Sequence, residues 1–139
     1  MQSLIYNSFF YDILAGNINC GSDTFKCMLV TSSYAPDRAN DRRNDITNEV
    51  SGTGYTAGGN ACSLTVNSVD STTNQQTVSI SITSWTSSTF TARGGVIYKS
   101  RGGSAGSDEL VCFLDFGSDV SPSAGTLSFT FSNPLVIQN

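Results

Sequence analysis

From residue 60 onward the chain is a series of short segments in which apolar side chains alternate with small polar ones. The clearest segment is VSISI, in which Val78, Ile80 and Ile82 share one face and Ser79 and Ser81 share the other. A period of two residues is the pattern of a half-buried β-strand. Turn-forming stretches such as RGGSAGSD and GSDVSPSAG separate the segments. Short strands at these intervals predict a β-sandwich or barrel.

The composition agrees with this pattern. Charged residues make up 13% of the chain, which is about half their usual share, and 22 Ser and 15 Thr supply most of the polarity. Because 139 residues leave no room for a second core, we expect one mainly β domain over residues 1–139, an antiparallel, jelly-roll-like sandwich. The predicted strands lie at 24–31, 61–69, 77–83, 85–92, 95–99, 110–116 and 126–131.

One helix is predicted near the N-terminus. Apolar residues in LIYNSFFYDIL recur at spacings of three and four, which is the stripe of an amphipathic helix. Ser3 is the expected N-cap, and Gly16 is the expected end of the helix because glycine readily takes the left-handed conformation. The prediction is therefore one short helix over residues 3–15.

Several functions are excluded or disfavoured by residue counts. The chain contains no His, so it has no Ser-His-Asp triad and no imidazole metal ligand. A net charge of −4 with seven scattered cations offers no basic stripe for nucleic acid. No apolar run reaches the roughly 20 residues of a membrane span, and the first residues lack a basic signal-peptide region. We therefore expect no nucleic-acid partner and no membrane association.

The four cysteines do not follow a metal-binding pattern. Cys20, Cys27, Cys62 and Cys112 include no closely spaced pair of the kind that structural zinc sites use. We expect reduced thiols and no metal or other cofactor. Cys27 and Cys112 fall in phase with apolar neighbours, in Cys112's case Leu110, Leu114 and Phe116, so both cysteines are predicted core residues.

Other candidate sites also have simple structural interpretations. The acidic residues of the DRANDRRND stretch are interleaved with arginines and lack the spacing of a calcium loop. Asp115 and Asp119 could be imagined as a glycosidase pair, but Asp115 is out of phase with its strand and is expected to face solvent or a neighbour. The Gly-rich stretch 52–59 lacks the lysine of a phosphate loop. We interpret it as a turn whose small residues let another chain approach closely.

The order of segments along the chain is more specific than any one of them. The stretches IYNSFFYDILAGNIN, DTFKCMLVTSSYAPD, DITNEVSGTGYTAGGNA, TSWTSSTFTARGGVIYK and LVCFLDFGSDVSPSAGTLSFTF cover nearly the whole chain. Together they resemble a family of small structural proteins encoded in the head and morphogenesis regions of tailed bacteriophages. The four cysteines are not part of that pattern. The resemblance implies a non-enzymatic virion protein, a decoration or cement protein on the outer capsid surface, made in the host bacterial cytoplasm.

That resemblance also implies partners, namely the major capsid protein and other copies of the chain in a homo-oligomer such as a trimer. Residues 32–59, which carry no strand pattern, and residues 100–108 are then the natural contact arms, since a long irregular stretch is usually functional. We expect deletion of residues 38–50 to leave a folded protein that no longer coats capsids. The candidate partner-contact residues are Tyr34, Asp37, Arg38, Arg42, Arg43, Tyr55 and Arg101.

One alternative from another class stays open. A tail, spike or head-fibre component could act as a carbohydrate- or receptor-binding module, because exposed aromatic rings stack against sugars. Tyr34, Tyr55 and Tyr98 are the candidate rings. An enzyme is not expected, because the sequence shows no nucleophile beside a base or a metal.

Overall fold

The structure is a computed structural model, and it describes residues 1–130 and 135–138. In chain order the strands and the helix are β1 Leu4–Ile5, α1 Asn7–Leu14, β2 Phe25–Val30, β3 Asn60–Val66, β4 Gln75–Ile82, β5 Trp85–Ser88, β6 Ala92–Lys99, β7 Leu110–Val120, β8 Gly125–Leu127 and β9 Leu135–Gln138. Two short 3-10 turns lie at Arg43–Asp45 and Ala105–Ser107. The prediction of a mainly β fold with one N-terminal helix is confirmed.

Seven strands form one antiparallel sheet in the order β1-β7-β6-β2-β3-β4-β9, and β5 pairs with β8 in a separate ribbon. The ribbon packs over one face of the sheet through Trp85 and Leu127, so the predicted antiparallel, sandwich-like fold is confirmed, with its strands divided seven and two. Leu4 of β1 and Leu135 of β9 line the same groove although their strands are first and last in the order. The sheet is therefore curled, and its two edges approach each other.

The central strands are buried on both faces of the sheet. On one face Cys27 and Leu29 of β2 pack with Phe9 of α1 and with Trp85 and Leu127 of the ribbon. The opposite face carries a second cluster, which includes Met28, Val30, Val96 and Phe113 under the rings of Tyr6 and Tyr34. The burial of β2 on both faces and of Cys27 and Cys112 confirms the predictions for them.

A bulge in β7 changes the expected face of Leu110. Ile97 pairs with Cys112 whereas the next residue, Tyr98, pairs with Leu110, so Val111 is an extra residue in β7. A bulge of this kind turns the residues before it to the other face. Leu110 therefore packs in the cluster of Tyr98 and not in the cluster of Cys112, which corrects the prediction that the two side chains share a face.

The helix is shorter than predicted. It begins after Tyr6, because Leu4 and Ile5 pair with Phe113 and Cys112 as strand β1. Ser3 is not its N-cap, since the Ser3 hydroxyl accepts a hydrogen bond of 2.8 Å from the backbone N–H of Asp115. Gly16, with a φ of +81°, follows the C-cap residue Ala15 and ends the helix as predicted. None of the helices among the described residues is long and apolar enough to cross a membrane.

Two predicted strands are also shorter than expected. The segment 85–92 is interrupted after Ser88, and the next strand begins at Ala92. Within β5, Ser87 takes a left-handed φ of 49° where the pairing with β8 is irregular. The segment 126–131 contributes only the ribbon strand β8, and Phe131 lies outside the described residues. Strand β9 was not predicted, since LVIQ shows no apolar alternation.

Candidate functional site

Residues 48–50 tie the 32–59 segment to the end of β2 in the same chain. The backbone N–H of Thr31 donates to Asn48 O at 2.9 Å, and the N–H of Val50 donates to Leu29 O at 2.9 Å. Val50 is buried in the core beside Leu29. Tyr34 and Ile46 pack over the second face of the sheet. The segment therefore covers the hydrophobic core of its own chain. This packing corrects the expectation that the segment becomes ordered on a neighbouring subunit, whereas its contact with a partner stays a prediction.

The Gly-rich turn within that segment also serves its own chain. A Cβ on Gly59 would overlap the carbonyl oxygen of Cys27 in β2. A Cβ on Gly52 would lie 2.7 Å from Thr89 O. The prediction of a close approach is correct, but the approaching backbone belongs to the same chain and not to another one. Deletion of residues 38–50 would remove Ile46 and Val50 from the packed core, so the structure favours a destabilised deletion variant over the folded one expected from the sequence.

Glu49 and Tyr55 hold the turn against the sheet. Glu49 Oε1 accepts a hydrogen bond from the Tyr55 hydroxyl at 2.7 Å and another from the N–H of Gly58 at 2.6 Å. The Tyr55 hydroxyl accepts from the N–H of Leu29 at 2.9 Å, and Tyr98 donates to Gly58 O at 2.7 Å. Burial raises the pKa of Tyr55, and the hydrogen bond to Glu49 raises it further. Tyr55 is therefore a structural residue in this chain.

Arg43 joins the 32–59 segment to the turn before β7. Its Nε lies 2.7 Å from Asp108 Oδ2, and the Asp108 side chain is only 2% exposed. The guanidinium also lies over the Tyr98 ring, 5.1 Å from its centroid, in a cation–π arrangement. The second carboxylate oxygen of Asp108 accepts from the N–H of Arg101 at 2.9 Å. One buried carboxylate thus anchors two loops.

Arg101 and Arg42 also pair within the chain. The guanidinium of Arg101 holds both oxygens of Glu109, at 2.7 and 2.6 Å. Burial raises the pKa of Glu109, but the hydrogen bond from Arg101 and further favourable interactions outweigh burial, so the pKa lies below its usual value. Arg42 Nη1 lies 3.5 Å from Asp12 Oδ2. These arginines fasten loops and α1 together, so their charges are already compensated before any partner binds.

Tyr34, a predicted contact residue, does not lie on the surface. Its side chain is buried, and its hydroxyl lies 2.8 Å from the Tyr6 hydroxyl, while its ring meets Phe113 edge-on. Tyr98 is likewise buried, and the Tyr55 ring packs between Trp85 and Phe90. The three rings proposed for stacking on sugars therefore lie in or against the core. That expectation for the alternative function is corrected.

Asp37, Arg38 and Arg101 are the predicted contact residues that stay exposed on the surface. Arg101 is paired with Glu109. Asp37 Oδ1 accepts from the N–H of Ala39 at 2.9 Å, and Arg38 Nη1 donates to Ile5 O at 3.3 Å. Within the described part of the chain, Arg38 makes no ion pair with a carboxylate, so its charge is available to a partner.

Two exposed apolar patches were missed from the sequence. The helix patch consists of Phe10, Tyr11 and Leu14, which are 43%, 69% and 88% exposed. The edge patch consists of Val69 and Ile137, which are exposed and line one groove beside the β9 edge. A signal for the helix patch was present in the sequence, because α1 carries two apolar stripes and only one can face the core.

A groove continues the helix patch toward the sheet. It encloses about 360 Å³ and is lined by Leu4, Phe10, Arg38, Phe113, Leu114 and Leu135 among others. It lies where β1 and β9 approach each other. Since large exposed apolar surfaces mark interaction sites, the helix patch and this groove form the candidate interaction surface.

The described residues offer no constellation for metal binding. Across 1–130 and 135–138, no group of three or more His, Cys, Asp or Glu side chains could hold an ion. The four cysteines are free thiols.

Asp115, which was expected to face solvent or a neighbour, lies 2.8 Å from Arg93 Nε with its side chain 9% exposed. That ion pair corrects the expectation for Asp115.

Comparisons with family models, with curated proteins and with solved structures gave no match.

Proposed function

We propose that the chain is a non-enzymatic structural protein of a tailed-bacteriophage virion, a decoration or cement protein that binds the outer surface of the head. The observation that carries the proposal is the pair of separate apolar patches, the helix patch beside β1 and the edge patch at β9. A protein with two separate exposed apolar surfaces can contact two neighbours at once. A lattice component needs that property, whereas a small catalyst does not.

The surface chemistry supports the same role. The β3–β4 hairpin exposes Ser63 and Thr65 opposite Ser81 and Ser79, and short hydroxyl side chains lose little rotamer freedom when they are packed against a neighbour. Many weak contacts of this kind become strong when a lattice presents them in many copies. The internal pairing of Arg42, Arg43 and Arg101 supports it as well, because a rigid clamp should not depend on loops that order late.

The test is quantitative mass spectrometry of purified phage particles that carry this chain, with cryo-electron microscopy of the same particles. We expect a copy number on the order of hundreds, because a head lattice repeats its surface many times. A count of about six or twelve would instead indicate a tail or vertex component and would reject the decoration role. Absence from the particles would reject the virion assignment altogether.

A further inference from the structure

We propose that the helix patch and its groove bind a second copy of this chain in a two-fold symmetric dimer. The inference deepens the proposed function and rests on it, since a lattice protein needs a defined contact between its own copies. It concerns the surface made by Phe10, Tyr11 and Leu14 with the adjoining groove.

The shape of this surface is self-complementary. Tyr11 and Leu14 project from α1 into solvent, being 69% and 88% exposed. The groove beside them is concave, holds about 360 Å³ and is lined by Leu4, Phe113, Leu114 and Leu135. An apolar projection and an apolar recess on one continuous surface allow two copies to exchange them. A patch that binds its own counterpart in this way gives an isologous, two-fold contact.

The continuity of the two features favours a two-fold contact over a head-to-tail arrangement. Phe10 belongs to both, because it is on α1 and also lines the groove. Head-to-tail rings use two different patches at separate places on the protein. The edge patch around Val69 is such a separate place and stays free in the dimer for another neighbour.

The charges at this surface also favour a second copy. The whole chain has a net charge of −4, and two copies would repel each other through most faces. Here, however, Arg38 is the one charged side chain among the described residues that line the groove. The charge of Asp12 on α1 is buried. Asp37, adjacent to Arg38 and exposed, carries the opposite charge, so each copy supplies both members of an intermolecular Arg38–Asp37 pair.

Sedimentation equilibrium of the full chain tests the dimer. We expect a monomer–dimer equilibrium in the wild type at concentrations up to about 1 mM, where even a weak contact becomes visible. Leu14→Glu should weaken the dimer by about tenfold or more, because it places a charge in an apolar contact. Val69→Glu is the matched control, since Val69 is also 71% exposed but lies outside the proposed interface, and it should leave the equilibrium unchanged.

A charge-reversal pair gives a second measurement. Arg38→Asp should weaken the dimer, and the additional Asp37→Arg should restore it, while urea unfolding of each variant confirms that the fold is intact. A wild type that stays monomeric, a dimer unaffected by Leu14→Glu, or an oligomer with an odd copy number would overturn the proposal. A dimer found in solution together with absence from virions would reject the proposed function and leave this contact standing.

Discussion

Alanine in place of Gly59 should destabilise the fold far more than alanine in place of Gly102. Both glycines have a φ of +79°, so both substitutions force alanine into the left-handed region. The environments differ, because a Cβ at Gly102 meets nothing within 4 Å. At Gly59 the Cβ would overlap the carbonyl oxygen of Cys27 and lie 2.7 Å from the Met28 Cα. The pair therefore separates the cost of conformation from the cost of the clash.

The magnitudes follow from these two environments. The left-handed conformation costs alanine about 1–2 kcal/mol, and this is the whole expected effect of Gly102→Ala. A group forced into a packed site costs about 1–3 kcal/mol more, so Gly59→Ala should lose about 2–5 kcal/mol. We expect a loss near the upper end of this range, because the Cys27 backbone belongs to a central strand that is paired on both sides, so its carbonyl group cannot move away.

Urea unfolding followed by tryptophan fluorescence and circular dichroism measures both variants against the wild type. The free energies of unfolding should differ between the two variants by about 1–3 kcal/mol, with Gly59→Ala the less stable. If Gly59→Ala fails to fold while Gly102→Ala folds normally, the result still supports the larger destabilisation predicted for Gly59→Ala. Equal losses in the two variants would refute the close approach of the Gly-rich turn to β2.

Two further predictions concern the ion pairs. Asp108→Asn should lower the free energy of unfolding by about 3 kcal/mol, because it leaves the partly buried Arg43 without its counter-charge. In the same urea titrations, the exposed control Asp119→Asn should change it by no more than about 0.5 kcal/mol. Equal effects of the two substitutions would contradict the anchoring role of Asp108. Arg93 lowers the pKa of Asp115 by its hydrogen bond, so the folded state binds this proton less tightly than the unfolded state does. The stability from this pair should be present above about pH 4 and should fall as the pH drops through the lower folded-state pKa of Asp115. In Asp115→Asn, the free energy of unfolding should therefore depend less steeply on pH between about pH 2 and 5. A pH dependence equal to that of the wild type would contradict the pair.

The β-strands were predictable because their signals are local. Period-two alternation in VSISI and the doubly apolar FKCMLV identify β4 and β2 without knowledge of their neighbours. The bulge at Val111 was not predictable, because its position depends on pairing with Ile97 in another strand. Similarly, the start of α1 depends on β1 pairing with β7, a contact between residues more than 100 positions apart.

The candidate contact residues were harder to predict, since the same side chains serve either a partner or the chain itself. Arg43 and Tyr55 are polar residues in an irregular segment, and such residues often mark a binding surface. In this fold their partners are Asp108 and Glu49 of the same chain. The pairing of Arg43 with Asp108 spans 65 positions, and no local pattern indicates it. The exposure of Leu14 likewise depends on which stripe of α1 faces the sheet.

Hydrogen exchange of the isolated chain, followed residue by residue, tests most directly whether the 32–59 segment belongs to the folded unit. The backbone N–H groups of Thr31, Arg43 and Val50 donate to Asn48, Asp108 and Leu29. We predict protection of these three amides close to that of β2, because they open only when the core opens. Exchange of Arg43 and Val50 at the rate of an unstructured chain would contradict the account and would restore the interpretation of this segment as a free contact arm.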